Sequence, residues 1–332
     1  MNDANELISF IASMSGEGNL RVEENLGEGY VRLRVSEAER RQAKHDIQHV
    51  EDIVIEMLRN ARDAGADKVY LATTKEDGVR TLVFLDNGSG VPQDMQERIF
   101  DARVTSKLES MKMDRWGVHG RGMALFSIKQ NTDEARVVTS DVDLGSVFKV
   151  SVATDRLGER ADQSSWPQAV KDEDGHYVCA RGPHNIIRAA CEFALEELRA
   201  CDVYLGSPSE IAATLHAQAS SRLDASRLLF IDDEAELPVV DRLGLASDAE
   251  DFIRICSGLG LEMSERTAHR ILAGQIKPVR GVTARLLRER DSSSHASAPV
   301  DLAKDRRGLR IAKDDMAQFS RAVERDFNDL AS

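Results

Sequence analysis

The stretch EMLRNARDAGADKVYLATTKEDGVRTLVFLDNGSGV, residues 56–91, constrains the fold most, because its hydrophobic period changes along its length. It begins inside a helical pattern. Ile47, Val50, Ile53, Val54, Met57, Leu58 and Ala61 recur at three and four between about Ser36 and Ala64, and Gly65 ends the run. KVYLATT and VRTLVFL are strand-like, and Asp77-Gly78 between them predicts a hairpin. DNGSGVP must then be a loop. On the helix, Glu56, Asn60 and Asp63 stand on neighbouring turns at the border of the apolar stripe. They are either a solvated face with Arg59 and Arg62 as partners, or a site.

Before this stretch, LISFIASM predicts a short helix, and GEGNL and NLGEGY read as loops. After it, QDMQERIFDA predicts a short helix, TSKLESMKMDRWGVHGRG a long polar connection, MALFSIKQ a helix, and ARVVTS and SVFKVSV two strands. The order helix, hairpin, helix, long loop, helix, hairpin predicts an α+β fold with helices layered on one face of a mainly antiparallel sheet. Composition shifts after Thr154. GERADQSSWPQAVKDEDGH is polar, IIRAACEFALEELRAC predicts an amphipathic helix, and VYLGSPSEIAATLHAQ a strand turning into a helix. Residues 246–290 read as helical, DSSSHASAP (291–299) as a linker, and KDDMAQFSRAVERDFNDL as one helix. The expected division is 1–155, a mixed segment 156–245, and a helical part 246–332.

Composition narrows the function classes. The 332 residues are 42% hydrophobic and 30% charged, enough for a sizeable core. No apolar run approaches the ~18 residues of a membrane span, and MNDANELISF lacks a basic signal-peptide start. Cys179, Cys191, Cys201 and Cys256 form no CxxC pair, so buried reduced thiols and a cytoplasmic setting are expected. A net charge of −13 excludes nucleic-acid binding by the whole surface and leaves room for a local basic patch.

Three further groups accompany the Glu56 helix. Asp86-Asn87-Gly88-Ser89-Gly90 follows a strand directly, so a carboxylate at the strand end can accept from an exocyclic amine while the glycines admit a flat ring. Gly117-Val118-His119-Gly120-Arg121-Gly122 leads into MALFSIKQ, where free backbone N–H groups suit phosphate oxygens. Gly145-Ser146 opens a strand and offers a small hydroxyl to the aspartate.

In this order the groups resemble the motifs of the GHKL ATPases, the group of gyrase-type topoisomerases, heat-shock chaperones, histidine kinases and MutL, over roughly residues 45–153. Glu56 to Ala64 looks like the N-box, Asp86 to Gly90 the first glycine motif, Gly117 to Gly122 the second and Gly145-Ser146 the last. RNARDAGADKV, DNGSGV, Thr105-Ser106-Lys107 and Arg121 to Ile128 are most similar to MutL. The resemblance implies a Bergerat-type two-layer sandwich that binds ATP and Mg²⁺. It implies Glu56 as general base, Asn60 as Mg²⁺ ligand, Asp86 with Ser146 on the adenine, and Gly88 and Gly90 lining the base pocket. Gly117, Gly120, Arg121 and Gly122 would cradle phosphates, Lys107 would meet the γ-phosphate, and residues 103–121 would be the lid. Asp63 would steady the site or the helix end. Met123 stands where the MutL motif carries an acid, Ser146 where threonine is usual, and the second domain of MutL has no recognisable pattern in 155–245.

Glu56, four residues before Asn60, favours hydrolysis over transfer to a histidine. His45 and His49, on the same expected helix, and His119 read as structural. The functions carried forward are an ATPase acting as a nucleotide-driven switch, a nucleotide-sensing regulator with little hydrolysis, and a GHKL-type protein kinase. An ATP-dependent homodimer and a DNA or protein partner for 246–332 follow as expectations. GLEMSERTAHRILAGQIKPVRGVTARLL is similar to repressor-type helix-turn-helix segments, and Ser264 to Asp291 holds seven Arg/Lys against three Asp/Glu, a local +4. Beside that stands a plain helical bundle, with its basic face solvated or docked on the acidic body of its own chain.

Overall fold

The computed structural model describes residues 22–106, 112–114, 117–119, 122–198, 200–223 and 233–287. The expected N-terminal helix, the linker 291–299 and the final helix lie outside them, as do Lys107, Gly120 and Arg121.

The segment around NLGEGY is a hairpin, β1 (Val22–Gly27) and β2 (Tyr30–Leu33), turned through residues 27–29 at positive φ. The single helix expected over 36–64 is two helices, α1 (Glu37–Asp46) and α2 (Val50–Asp63). The break has a local cause. The backbone N–H groups of Gln48 and His49 both donate to the Asp52 carboxylate, at 3.0 and 2.9 Å, which caps a new helix start. Ile47 stays buried in an extended conformation, so the apolar period runs through unchanged. His45 is therefore on a different helix from Glu56, and His49 is the N-cap residue of α2.

β3 (Lys68–Glu76) and β4 (Val79–Asp86) form the hairpin set by Asp77-Gly78, both at positive φ. QDMQERIFDA forms two 3₁₀ turns, Gln93–Met95 and Arg98–Phe100. The long connection carries three short strands, β5 (Val104–Thr105), β6 (Lys112–Asp114) and β7 (Gly117–His119). α3 (Ala124–Asn131), β8 (Glu134–Ser140) and β9 (Ser146–Ala153) follow as expected. Beyond Thr154 come the hairpin β10 (Gln168–Lys171) and β11 (Tyr177–Arg181), α4 (Ile186–Glu196), β12 (Asp202–Gly206) and α5 (Pro208–Arg222). α6 (Ala249–Gly258), α7 (Glu265–Leu272) and a last helix over 282–287 complete the described chain, with residues 273–281 non-helical.

The central sheet has the order β12-β3-β4-β9-β8, antiparallel throughout except for β12 beside β3. Its front face, Val69, Leu71, Leu82, Phe84, Phe148 and Val150, packs with Ile53, Met57 and Leu58 of α2, Ile128 of α3 and Phe193 of α4. That is the α+β sandwich. The back face is covered as well. Tyr70, Ala72, Val83, Leu85 and Val147 pack with Ile211 and Leu215 of α5, Phe252 and Ile255 of α6, and Ala268 and Ile271 of α7. Each fully buried side chain of this size contributes roughly 1.5–3 kcal/mol of transfer free energy. The four cysteines are buried, and no helix among the described residues is long and apolar enough to cross a membrane.

Candidate nucleotide site

A cavity of about 590 Å³ opens at the edge of the front layer, between α2, the loop after β4, the start of β9, and residues 104–106 and 122–125. Glu56, Asn60, Asp63, Asp86, Gly90, Gly122 and Ser146 all line it. Residues 30 apart or more in sequence converge because β4 and β9 pair in register with Asp86 opposite Ser146, while α2 ends above that pair.

Asp86 is 3% exposed and its carboxylate is held at both oxygens. Oδ1 accepts from the Gly88 N–H at 2.9 Å and Oδ2 from the Ser146 hydroxyl at 2.7 Å. A buried carboxylate fixed this way offers a defined acceptor edge. The neighbouring Asn87 has a scaffold role. Its Oδ1 accepts from the Asp67 and Lys68 N–H groups, and its Nδ2 donates to Asp67 at 2.7 Å.

The glycines are explained by backbone contact. A Cβ on Gly90, at φ +70°, would stand 1.8 Å from the Asp141 carbonyl oxygen, and one on Gly145, at φ +78°, 2.1 Å from the Asp86 carbonyl oxygen. Gly88 lies under Ala64, and the Ser89 N–H donates to the Ala64 carbonyl at 2.9 Å, so loop and helix end interlock. Gly122 turns at φ +66° against Val104, with its carbonyl accepting from the Arg103 N–H at 2.8 Å.

On α2 the charges do not form a solvated face. Arg59 is 3% exposed and donates to Glu56 at 2.7 Å. Arg62 donates to Asp63 and to Glu197, each at 3.1 Å. Burial works against the Arg62 cation, but the two carboxylates outweigh it and hold its pKa above the ordinary arginine value. Asp63 is thus ion-paired at the helix end. Asn60 differs: its Nδ2 is buried without a hydrogen-bond partner. Because a half-turn of the amide exchanges N and O, the same position can present an oxygen to a cation, so the residue fits a Mg²⁺ ligand.

Sequence reasoning missed Tyr30 and Arg59 as lining residues, while Thr105 and Ser106, inside the expected 103–121 segment, line the cavity too. Tyr30 sits on β2, which pairs with β5. Burial raises its phenol pKa, partly offset by a hydrogen bond with Ser106. The alternation in YVRL was the available signal. Arg103, at φ +61° beside the cavity, forms an ion pair with Glu39 of α1, tying the wall of the site to that helix.

Comparison with known proteins agrees with this geometry. The profile of the family described as "Histidine kinase-, DNA gyrase B-, and HSP90-like ATPase" matches residues 47–163. The chain is similar to the DNA mismatch repair protein MutL of Thermodesulfovibrio yellowstonii, with 34% identity over 98 residues, 28% of this chain and 18% of that protein. For MutL of Pediococcus pentosaceus the figures are 31% over 115 residues, 34% and 17%, and for MutL of Staphylococcus aureus strain Newman 28% over 136 residues, 38% and 20%. The match spans about a fifth of the length of these relatives. Residues 47–163 are therefore a GHKL-type ATP-binding domain, and within that group they are MutL-like.

Proposed function

We propose that the chain is a slow, Mg²⁺-dependent ATPase whose nucleotide state switches its conformation. The observation that carries this is the convergence of Glu56, Asn60, Asp86 and Ser146 on one cavity. Asp86, oriented by Ser146 and Gly88, accepts from the adenine amine, with Gly88 and Gly90 setting the base loop. Gly117, Gly120, Arg121 and Gly122 cradle the phosphates and Lys107 meets the γ-phosphate. Asn60 holds Mg²⁺, which when bound offsets the charge of the phosphates. Glu56 accepts the proton of a water whose oxygen bonds to the γ-phosphorus as the bond to the bridging oxygen breaks, releasing ADP and inorganic phosphate. Residues 103–121 close as a lid, and closure favours a homodimer in a cytoplasmic protein, with residues 246–332 engaging a DNA or protein partner.

Glu56→Ala tests the enzyme reading. ATP binding should persist while hydrolysis falls by about 10²- to 10⁴-fold; unchanged hydrolysis sinks Glu56 as the base. One observation favours the alternative of a nucleotide sensor with little hydrolysis, namely the buried Arg59 guanidinium bonded to Glu56. If that pair restrains the base, Arg59→Gln speeds turnover. With ATP labelled in the γ-phosphate, label retained on protein would instead support the kinase reading. Cross-linking with a non-hydrolysable ATP analogue reads the dimer.

A further inference from the structure

The chain from Glu265 to Val282 is pinned on its inner side and cationic on its outer side. Ala268, Ile271 and Val282 are buried, and Ile276 and Val279 pack against the back core. The Val279 N–H also donates to the Thr214 hydroxyl at 2.9 Å, fixing the non-helical segment to α5. Between these anchors Arg266, Arg270, Lys277 and Arg280 all point into solvent. Among the described residues none of the four is in an ion pair or a side-chain hydrogen bond. Among the described residues, most arginines outside this stretch are paired, and Arg62, Arg80, Arg156 and Arg160 each hold a carboxylate. The one acid in this stretch, Glu265, lies beside His269 at 3.7 Å. Four cations against one acid give a local +3 on a chain of −13. The basic face is thus not docked on the acidic body within the described residues; apolar residues do the docking.

The helix geometry selects the polyanion. α6 and α7 form a helix-turn-helix pair, with Phe252, Ile255, Ala268 and Ile271 in one shared core. That core orients α7 so that Arg266, His269 and Arg270 face outward. A helix with its side chains is about 10–12 Å across and the B-DNA major groove about 12 Å wide. The A-form RNA major groove is too narrow to admit it.

Resting on the reading that residues 246–332 engage a partner, we infer that α7 and the segment 273–281 form a binding surface for duplex DNA. Arg266 and Arg270 contact the phosphates that border the major groove, and Lys277 and Arg280 contact the flanking phosphates. α7 lies in the back layer, on the opposite side of the sheet from the nucleotide cavity.

The test is fluorescence anisotropy of a labelled 25-base-pair DNA duplex titrated with the full chain at two salt concentrations. Four neutralised phosphates predict a log–log salt slope of about −3.6, or roughly a hundredfold loss of affinity between 50 and 200 mM salt. Arg266→Gln with Arg270→Gln, and separately Lys277→Gln with Arg280→Gln, should each weaken binding at least tenfold and reduce the slope by about 2. ATP affinity of the variants, expected unchanged, reports that they are folded. No binding at 50 mM salt, or variants that bind like the parent, overturns the proposal. So does equal affinity for an A-form RNA duplex, or a loss confined to self-association by sedimentation. Asp86→Asn, which should lose nucleotide, keeps the DNA curve, so failure of the nucleotide reading is separable from failure of this one.

Discussion

The two faces of one sheet do different work with the same strands. Side chains of β3 and β4 alternate, so Leu71, Leu82 and Phe84 serve the front core while Tyr70, Val83 and Leu85 serve the back. On the front, α2 ends in polar residues over the strand ends, and glycine loops hold the backbone back to leave a cavity. On the back, α5, α6 and α7 bring Ile211, Leu215, Phe252 and Ile271 onto the sheet, and polar groups appear on the far side of the helices. The back also buttresses the front. The Val239 N–H donates to the Leu144 carbonyl at 2.9 Å, and buried Arg242 donates to Thr139 at 3.0 Å, so the 139–146 turn that delivers Ser146 rests on the back layer. The lesson is that a site here is a border phenomenon: it forms where the polar end of a covering helix meets the strand ends.

The largest effect tests whether the two layers are one folding unit. Leu58 in front and Phe252 behind are both fully buried. Leu58→Ala should cost about 2–5 kcal/mol and Phe252→Ala about 3–5 kcal/mol, each leaving a cavity the surroundings only partly close. If the shared strands couple the layers, either variant shifts one cooperative denaturant transition. Two separated transitions in Phe252→Ala would show that the back layer melts alone.

Glycine sharpens the contrast at smaller scale. Gly90 in front and Gly260 behind both have positive φ, +70° and +69°. An alanine at Gly260 meets its nearest neighbour, a methyl of Val138, at 3.4 Å, so Gly260→Ala should cost only the left-handed strain of about 1–2 kcal/mol. At Gly90 the new Cβ collides with backbone, adding about 1–3 kcal/mol and displacing the base loop. Gly90→Ala should therefore lose both stability and ATP affinity, and Gly260→Ala only stability. Equal ATP affinities in the two variants would break the assignment of Gly90 to the site.

Much of this was legible locally. Asp77-Gly78 fixed the hairpin, and the spacing of Glu56, Asn60 and Asp63 with DNGSG placed the cavity, because helix ends and turns are set by neighbours in sequence. Most of what was not legible depended on distant partners. VEENL has no apolar alternation, and its hairpin gains a third strand from Val104-Thr105, so the short alternation in YVRL was the one local sign of Tyr30. The break at 47–49 hid behind an unbroken apolar period, since Asp52 caps α2 while Ile47 stays buried. The second covered face had a sequence sign in the continuous runs VYLA and LVFL, which suit strands buried on both sides. Which later helices would cover it, and that β12 would join beside β3, needed the tertiary structure.

The last effect vanishes at neutral pH and appears in alkali. Cys201 belongs to the front core and Cys256 to the back, and burial pushes both thiols up to about 12. A thiol raised in the fold is neutral there while the unfolded chain, with an ordinary pKa near 9, releases its proton first. The stabilisation is complete below about pH 9 and is lost as pH rises toward about 12. Stability measured by urea denaturation should thus fall with pH in that window. Cys201→Ala and Cys256→Ala should each remove part of the slope, by similar amounts if the two cores exclude water equally. At pH 8 both thiols should resist iodoacetamide until the protein unfolds, and should react together in a cooperative unit. Labelling of Cys256 ahead of Cys201 would mean that the back layer opens independently, separating the two faces that the shared strands otherwise join.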